Sequence, residues 1–383
     1  MDENIYLKEE HFMIRDMVRE FAEKEVKPIA GEIDEKARFP EENIKKMAEL
    51  GLLGIIFPEE YGGAGMDTIA YSIVMEELAK VCASHAITVA AHISLCSNPI
   101  YMFGTEQQKQ KYLVPLATGK HLGAFGLTEA EAGSDAQGTK TTAEKKNGYY
   151  IINGSKLFCT NSGVAGTYII TAVTGKKGDK KEISAFIVER DMEGLIIGKK
   201  EDKMGWRGSD THQIFFENLK VPEENLLGEK GRGFKEAMIT LDSGRISVAA
   251  MSLGIAEGAY EAARAYSKER KAFGKSICDF QSIQFMLADM AVGIEAAREL
   301  VYKASWLKDN GKPYAKYSAM AKLFASELAM KTTSNALQIH GGYGYVKDYP
   351  VERFFRDAKA CEIGEGTSEI QRLIIGRYIL REI

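Results

Sequence analysis

The spacing of apolar and polar residues divides the chain into three stretches. In residues 9–26, Phe12, Ile14, Met17, Val18, Phe21 and Val26 recur at roughly helical spacing. Residues 43–53 and 69–81 read the same way, with Pro28, Pro40, Pro58, Pro99 and Pro115 as punctuation. An N-terminal α-helical domain is expected over residues 1–121. From Leu122 to about Pro222 the pattern shortens to β-branched and aromatic runs at 149–152, 168–173, 183–188 and 194–197. Asn147-Gly148, Asn153-Gly154 and the glycines at 175 and 178 separate them as turns separate strands. A small antiparallel β-barrel or sandwich is expected at 122–228. Long segments rich in Ala, Leu, Met, Glu and Lys follow at 234–270, 280–310, 314–339 and 370–380. They predict a C-terminal four-helix bundle over 229–383, with glycine-bearing loops around Gly274, Gly311 and Gly341–Gly344. The fold class is α+β, in the order helical, β, helical.

Composition narrows the function. A chain of 383 residues exceeds one comfortable core, and 45 % hydrophobic with 27 % charged residues is ordinary for a soluble globular protein. A net charge of -4 without a concentrated basic face argues against a nucleic-acid partner. Unbroken apolar runs such as 52–57 are too short to cross a bilayer, so no membrane partner is expected. The acidic start at residues 1–10 resembles neither a secretory signal nor an organelle presequence, which points to the cytoplasm. Cys82, Cys96, Cys159, Cys278 and Cys361 are scattered, odd in number and without CxxC spacing; free thiols are expected. The six histidines form no HExxH pattern, and no metal is expected.

Several segments could carry chemistry. Gly228-Glu-Lys-Gly-Arg-Gly233 has the wrong spacing and context for a dinucleotide fingerprint, and no GxxxxGK[ST] loop occurs. In Ile363-Gly-Glu-Gly-Thr-Ser-Glu-Ile370, Glu365 lies between two glycines just before a capping Thr-Ser pair. A ligand could approach that carboxylate closely; taken alone, the segment also reads as a helix-entry loop with an acid favoured by the helix dipole. Hydroxyls and backbone donors in Leu127-Thr-Glu-Ala-Glu-Ala-Gly-Ser-Asp135 and Gly154-Ser-Lys-Leu-Phe-Cys-Thr-Asn161 suit a ring's heteroatoms and a pyrophosphate, or simply form turns. Arg270-Lys-Ala-Phe-Gly-Lys275 with Phe280-Gln281 is either a solvated helix junction or a phosphate-pairing site.

Together, and in this order, these segments resemble the acyl-CoA dehydrogenase family over essentially the whole chain. Gln338-Ile-His-Gly-Gly-Tyr-Gly344, Tyr349-Pro350, Arg356-Asp357-Ala358 and Gly364-Glu-Gly-Thr-Ser-Glu-Ile-Gln-Arg372 complete the resemblance. It implies a homotetramer with one FAD per subunit, an acyl-CoA substrate and an electron-transferring flavoprotein as acceptor. By motif matching, Leu127, Thr128 and Ser134 would contact the flavin or its pyrophosphate. Phe158 would lie against the flavin ring, where many relatives carry Trp, and Thr160 would hydrogen-bond it. Arg270, Phe273, Gln281, Gln338 and Gly342 would hold the ADP part, some from a neighbouring subunit, with Thr367 and Glu369 near the adenosine end. Ser134, Asp242, Arg245 and Gly366 would meet the substrate.

The resemblance makes Glu365 the base. It would remove the α-proton while the β-hydrogen leaves as hydride to the flavin, giving a trans-2-enoyl-CoA; the Glu365 N–H and a ribityl hydroxyl would hold the thioester oxygen. Some relatives place the base on the helix after the β-domain, where this chain has Gly244, and glutaryl-type relatives carry an Arg where this chain has Ala86. Gly364 replaces an aromatic residue common before the base, which widens the pocket beside the reacting carbons. A short-chain substrate such as butyryl-CoA is expected, with branched or ring-bearing acyl groups as the second option. Enoyl-CoA reduction, an acyl-CoA oxidase (disfavoured by the ending at Ile383) and a non-catalytic acyl-CoA-binding protein are the alternatives.

Overall fold

The computed structural model describes residues 4–380. The first three residues of the acidic start and the chain end at Ile383 lie outside the described residues. Helices form the first third, and they are longer than their apolar patterns. Glu9–Phe21 passes through a π-helical turn, Ala22–Val26, into Lys27–Lys36. Ala83–Ala90, the π-helical segment Ala91–Ser97 and Asn98–Phe103 follow one another as a single helix, Ala83–Phe103. Pro28, Pro99 and Pro115 each stand in the first turn after a π-helical stretch. The helices continue past these prolines, where their punctuation predicts breaks. A proline ring displaces the i→i−4 hydrogen bond, and a locally wider turn accommodates it.

Ala83–Phe103 is also long and apolar enough to span a bilayer. Counting unbroken apolar runs passed over it because Ser84, His85, Thr88, His92, Ser94 and Ser97 interrupt the apolar residues. Its most apolar window is 78 % buried inside the protein, so packing accounts for its composition.

The middle domain is built from β1 (Leu122–Gly126), β2 (Thr142–Lys146), β3 (Tyr149–Thr160), β4 (Ala165–Lys177), β5 (Lys180–Glu189), β6 (Leu195–Lys200), β7 (Thr211–Pro222) and β8 (Leu226–Leu227). The sheet order is β6-β7-β3-β2-β4-β5-β8. It is mostly antiparallel, but β1 and β2 each pair with β4 in parallel. Asn147-Gly148, both at positive φ, turns β2 into β3 as expected. Asn153-Gly154 does not turn the chain. It sits inside β3 at a register shift opposite β7, so Gly154 marks a bulge in a long strand.

Among the described residues the C-terminal part holds five main helices: Gly233–Glu269, Gln281–Asp309, Ala315–His340, Val351–Cys361 and Ser368–Ile379. The unforeseen one is Val351–Cys361. Its buried residues Val351, Phe354, Ala358 and Cys361 keep helical spacing, but the charged residues Glu352, Arg353, Asp357, Lys359 and Glu362 beside them obscure it. The two helical parts do not have separate cores. Residues from 18 to 361 join one apolar cluster, and a second cluster around Tyr150, Phe186 and Ile214 fills the β-domain. Polar contacts pin the shared core. The Ser72 and Ser305 hydroxyls lie 2.9 Å apart, and the Thr68 N–H donates to Asp309 across 241 residues of sequence.

Candidate active site

Glu365 lies in the short loop between Val351–Cys361 and Ser368–Ile379, at φ 53, followed by Gly366 at φ 99. A left-handed glutamate costs about 1–3 kcal/mol, and the surroundings hold it there. The Ser368 N–H donates to Glu362 O at 3.0 Å, closing the loop. Gly366 O accepts from Lys322 Nζ at 2.8 Å and from Gln371 Nε2 at 2.9 Å. The Thr367 hydroxyl caps the next helix by accepting from the Ile370 N–H.

This fold aims the side chain into the protein. The residue as a whole keeps partial exposure, but both carboxylate oxygens are sealed from solvent and have no hydrogen-bond partner among the described residues. A buried carboxylate without partners is expensive, and native proteins keep one where a ligand or reaction needs it. Burial raises its pKa to about 7, against the lowering charges of Arg245 and Lys322. No described residue accepts from the Glu365 N–H either.

Four distant segments surround this carboxylate. Tyr71 comes from Thr68–Val81 and feels the Glu365 charge; its hydroxyl meets Ser94, which meets Ser247. Leu95 comes from the π-helical stretch, Gly244 and Arg245 from Gly233–Glu269, and Lys322 from Ala315–His340. A Cβ on Gly244 would overlap Glu365 Oε2 and come within 3.2 Å of Leu95 Cδ2. The position that holds the base in some relatives therefore holds open the space that Glu365 occupies. Gly244→Ala should keep its fold and FAD, because the overlapped atom ends a flexible side chain. It should lose about 10²-fold in rate from the displaced carboxylate, measured by stopped-flow flavin reduction.

Arg245 is buried, acts on the Glu365 carboxylate and pairs with Asp242, and Arg245 Nε has no partner among the described residues. Ala86 is fully buried in the core. Beside Gly364 the structure alters the sequence picture. A Cβ there would lie 3.8 Å from the Trp206 ring, so an indole from the β-domain bounds the space that an absent aromatic would leave. Trp206 is fixed by its N–H, which donates to Asp357 Oδ1 at 2.6 Å, and its indole N–H is buried without a partner among the described residues.

The proposed flavin residues form a second group. Lys156, fully buried in β3, donates to Glu129 at 2.6 Å, to the Thr139 and Thr171 hydroxyls and to Leu127 O. Burial works to raise the Glu129 carboxyl, but the Lys156 charge together with hydrogen bonds from Lys156, Thr139 and the Lys140 N–H outweighs it and leaves it at about 2. The Leu157 N–H donates to Thr128 O at 2.8 Å. Leu127 and Thr128 are thereby fixed beside Phe158 and Thr160. Phe158 sits at a bulge with φ 55 and is 64 % exposed, an open aromatic face beside the loop. Ser134 lies on the exposed side of that loop.

Arg270 and Gly342 meet in a third place, a cavity of about 630 Å³ shared with Ile277, Ile339, His340 and Tyr343. His340 stacks on Tyr266 and bonds Ala336 O through Nδ1, leaving Nε2 buried without a partner among the described residues. Gln281, Gln338 and Glu369 are exposed, and Phe273, 96 % exposed, touches the Phe280 ring edge-on. Glu369 stands in the first turn after the base loop, and Gln338 adjoins Ile339 of the cavity. Another cavity, about 520 Å³, lies away from Glu365 between Glu9–Phe21 and the bundle; its charges pair internally, Arg19 with Glu77 and Arg298 with Glu76 and Glu257.

Sequence reasoning singled out neither Lys156 nor Lys322. Each had a signal. Lys156 alternates with the buried residues of its strand, and Lys322 shares a buried stripe with Ser318, Ala325 and Ala329.

The comparisons decide the family. Models of the acyl-CoA dehydrogenase N-terminal, middle and C-terminal domains match residues 8–120, 124–219 and 231–380. The chain belongs to the acyl-CoA dehydrogenase family. It is 55 % identical over 381 residues to the short-chain specific acyl-CoA dehydrogenase of Clostridium acetobutylicum, covering 100 % of both chains. The three-dimensional structure of butyryl-CoA dehydrogenase from Megasphaera elsdenii matches with 50 % identity and TM-score 0.96 over 100 % of each chain. A chain in the structure described as the electron transferring flavoprotein of Acidaminococcus fermentans matches with 55 % identity and TM-score 0.97, also over 100 % of each. This acyl-CoA dehydrogenase is an oxidoreductase acting on CH–CH bonds, and FAD is its cofactor. The exposed Phe158, the fixed Leu127–Thr128 backbone and the cavity with an unpartnered His340 nitrogen suit a flat ring system carrying a nucleotide.

Proposed function

We propose that this acyl-CoA dehydrogenase converts short-chain acyl-CoA to trans-2-enoyl-CoA with Glu365 as the base. The sealed, unpartnered Glu365 carboxylate carries the reading. A proton α to a thioester is weakly acidic, so the base must be desolvated and its pKa raised, as burial does here. Glu365 accepts that proton, and its own N–H is free to donate to the thioester oxygen as negative charge develops there. Arg245 and Asp242 line the approach. Bound FAD would supply the acceptor for the β-hydrogen as hydride. Leu127, Thr128, Ser134, Phe158, Thr160, Thr367 and Glu369 would hold its flavin and adenosine ends, and Arg270, Gln338 and Gly342 its ADP part. Phe273 and Gln281 project from the chain, as expected if a neighbouring subunit's cofactor engages them in a homotetramer. The Acidaminococcus match supports an electron-transferring flavoprotein as acceptor.

Glu365 must be ionised to act, so kcat/KM for flavin reduction should rise through about pH 7 as its proton leaves and fall away below it. Stopped-flow rates from acid to alkaline pH test this. The substrate reading is tested by anaerobic bleaching with a panel of acyl-CoAs. Butyryl-CoA should bleach the flavin fastest, with isobutyryl-CoA slower because the Trp206 indole bounds the space beside Gly364. Fastest bleaching by a long straight chain would overturn the short-chain assignment. Rapid reoxidation by air alone would point to an oxidase.

A further inference from the structure

A fully buried lysine is the feature that this mechanism leaves unexplained. Lys322 is 0 % exposed on Ala315–His340, and Nζ donates to Gly366 O at 2.8 Å. That carbonyl belongs to the residue after the base and already accepts from Gln371. A neutral donor would serve the hydrogen bond, and an ammonium in a dry interior is costly unless its charge is used.

We propose that Lys322 is a positioning residue: its ammonium ties down the Gly366 carbonyl, fixing the left-handed Glu365 backbone, and its charge favours the ionised form of the base. This rests on Glu365 being the base. Charged and titratable groups act on that carboxylate from each element around it. Arg245, paired with Asp242, acts from Gly233–Glu269, Tyr71 from Thr68–Val81, and Lys322 from Ala315–His340, itself flanked by Cys361 and Glu362. Arg245 is the stronger cation and Lys322 the second. Burial lowers the lysine pKa to about 8, so it still carries its proton near neutrality, where Glu365 titrates. The side chain works through the base loop and touches no reacting atom.

Three substitutions separate charge from hydrogen bond. Lys322→Met removes both, Lys322→Gln keeps a donor without charge, and Lys322→Arg keeps charge and donor. Without the cation the Glu365 pKa rises, so the acid limb of flavin reduction moves to higher pH. Met and Gln variants should be roughly tenfold slower near pH 6.5 and approach wild type at alkaline pH, and Arg should restore the wild-type profile. Infrared titration of the FAD-loaded, substrate-free protein should show the same upward shift in the Glu365 carboxyl band, assigned by its loss in Glu365→Gln. If Glu365→Gln still bleaches rapidly, the base assignment itself fails. If that variant is inactive but the Met and Gln profiles and bands superimpose on wild type, the role of Lys322 alone is overturned. Should all three Lys322 variants fail to fold, packing and not charge requires the lysine, which also overturns the proposal.

Discussion

Glu365→Gln is expected to bind FAD normally, stay yellow, and reduce its flavin with butyryl-CoA about 10²–10⁴-fold more slowly than wild type. The substitution is nearly isosteric. Because the carboxylate oxygens have no hydrogen-bond partner among the described residues, it breaks no described contact. The loop is held through backbone atoms, by Lys322 and Gln371 at Gly366 O and by Ser368 at Glu362 O, so its shape should survive. Flavin absorbance and thermal melting establish that the site is intact, and stopped-flow bleaching measures the loss. Turnover at a wild-type rate would remove Glu365 from the mechanism.

The second large effect is predicted far from the base. Lys156→Met should destabilise the protein by about 3–5 kcal/mol, because it leaves the Glu129 carboxylate buried and unpaired by its cation. Glu129 would retain its bonds from the Lys140 and Thr141 N–H groups, but those do not neutralise it. Lys156 also holds Leu127 O, so the variant should purify with less FAD as well as unfold earlier in denaturant. Fluorescence-monitored unfolding and the flavin-to-protein absorbance ratio report the two effects. Exchanging both partners for apolar residues of similar volume should recover stability better than it recovers FAD. The buried pair is replaceable as packing, but the tether to Leu127 is not.

Much of the architecture was legible because it is written in local spacing. The long C-terminal helices fall within a residue or two of their expected ends, since Ala-, Leu- and Glu-rich periodicity acts over neighbouring turns. Failures came where local signals conflict with tertiary ones. Asn153-Gly154 has the composition of a turn, yet pairing with β7 absorbs it as a bulge. Pro28, Pro99 and Pro115 read as breaks, yet the helices continue past them through the π-helical stretches that precede them. Val351–Cys361 is short and heavily charged, and its apolar face shows only once a neighbour covers it.

The site divides along the same line. By itself the sequence determined the family motifs, the order of the three parts and the glycine-flanked loop that presents Glu365. It could not determine what surrounds that carboxylate. Tyr71, Leu95, Gly244, Arg245 and Lys322 come from four segments, spread over more than half of the chain, and only their convergence seals it from water. Desolvation and charge act through space, so the raised pKa that makes a loop acid a base is a property of the fold. The same holds for the Lys156–Glu129 pair and for Trp206 beside Gly364: each residue is visible in the sequence, but its partner is chosen by packing.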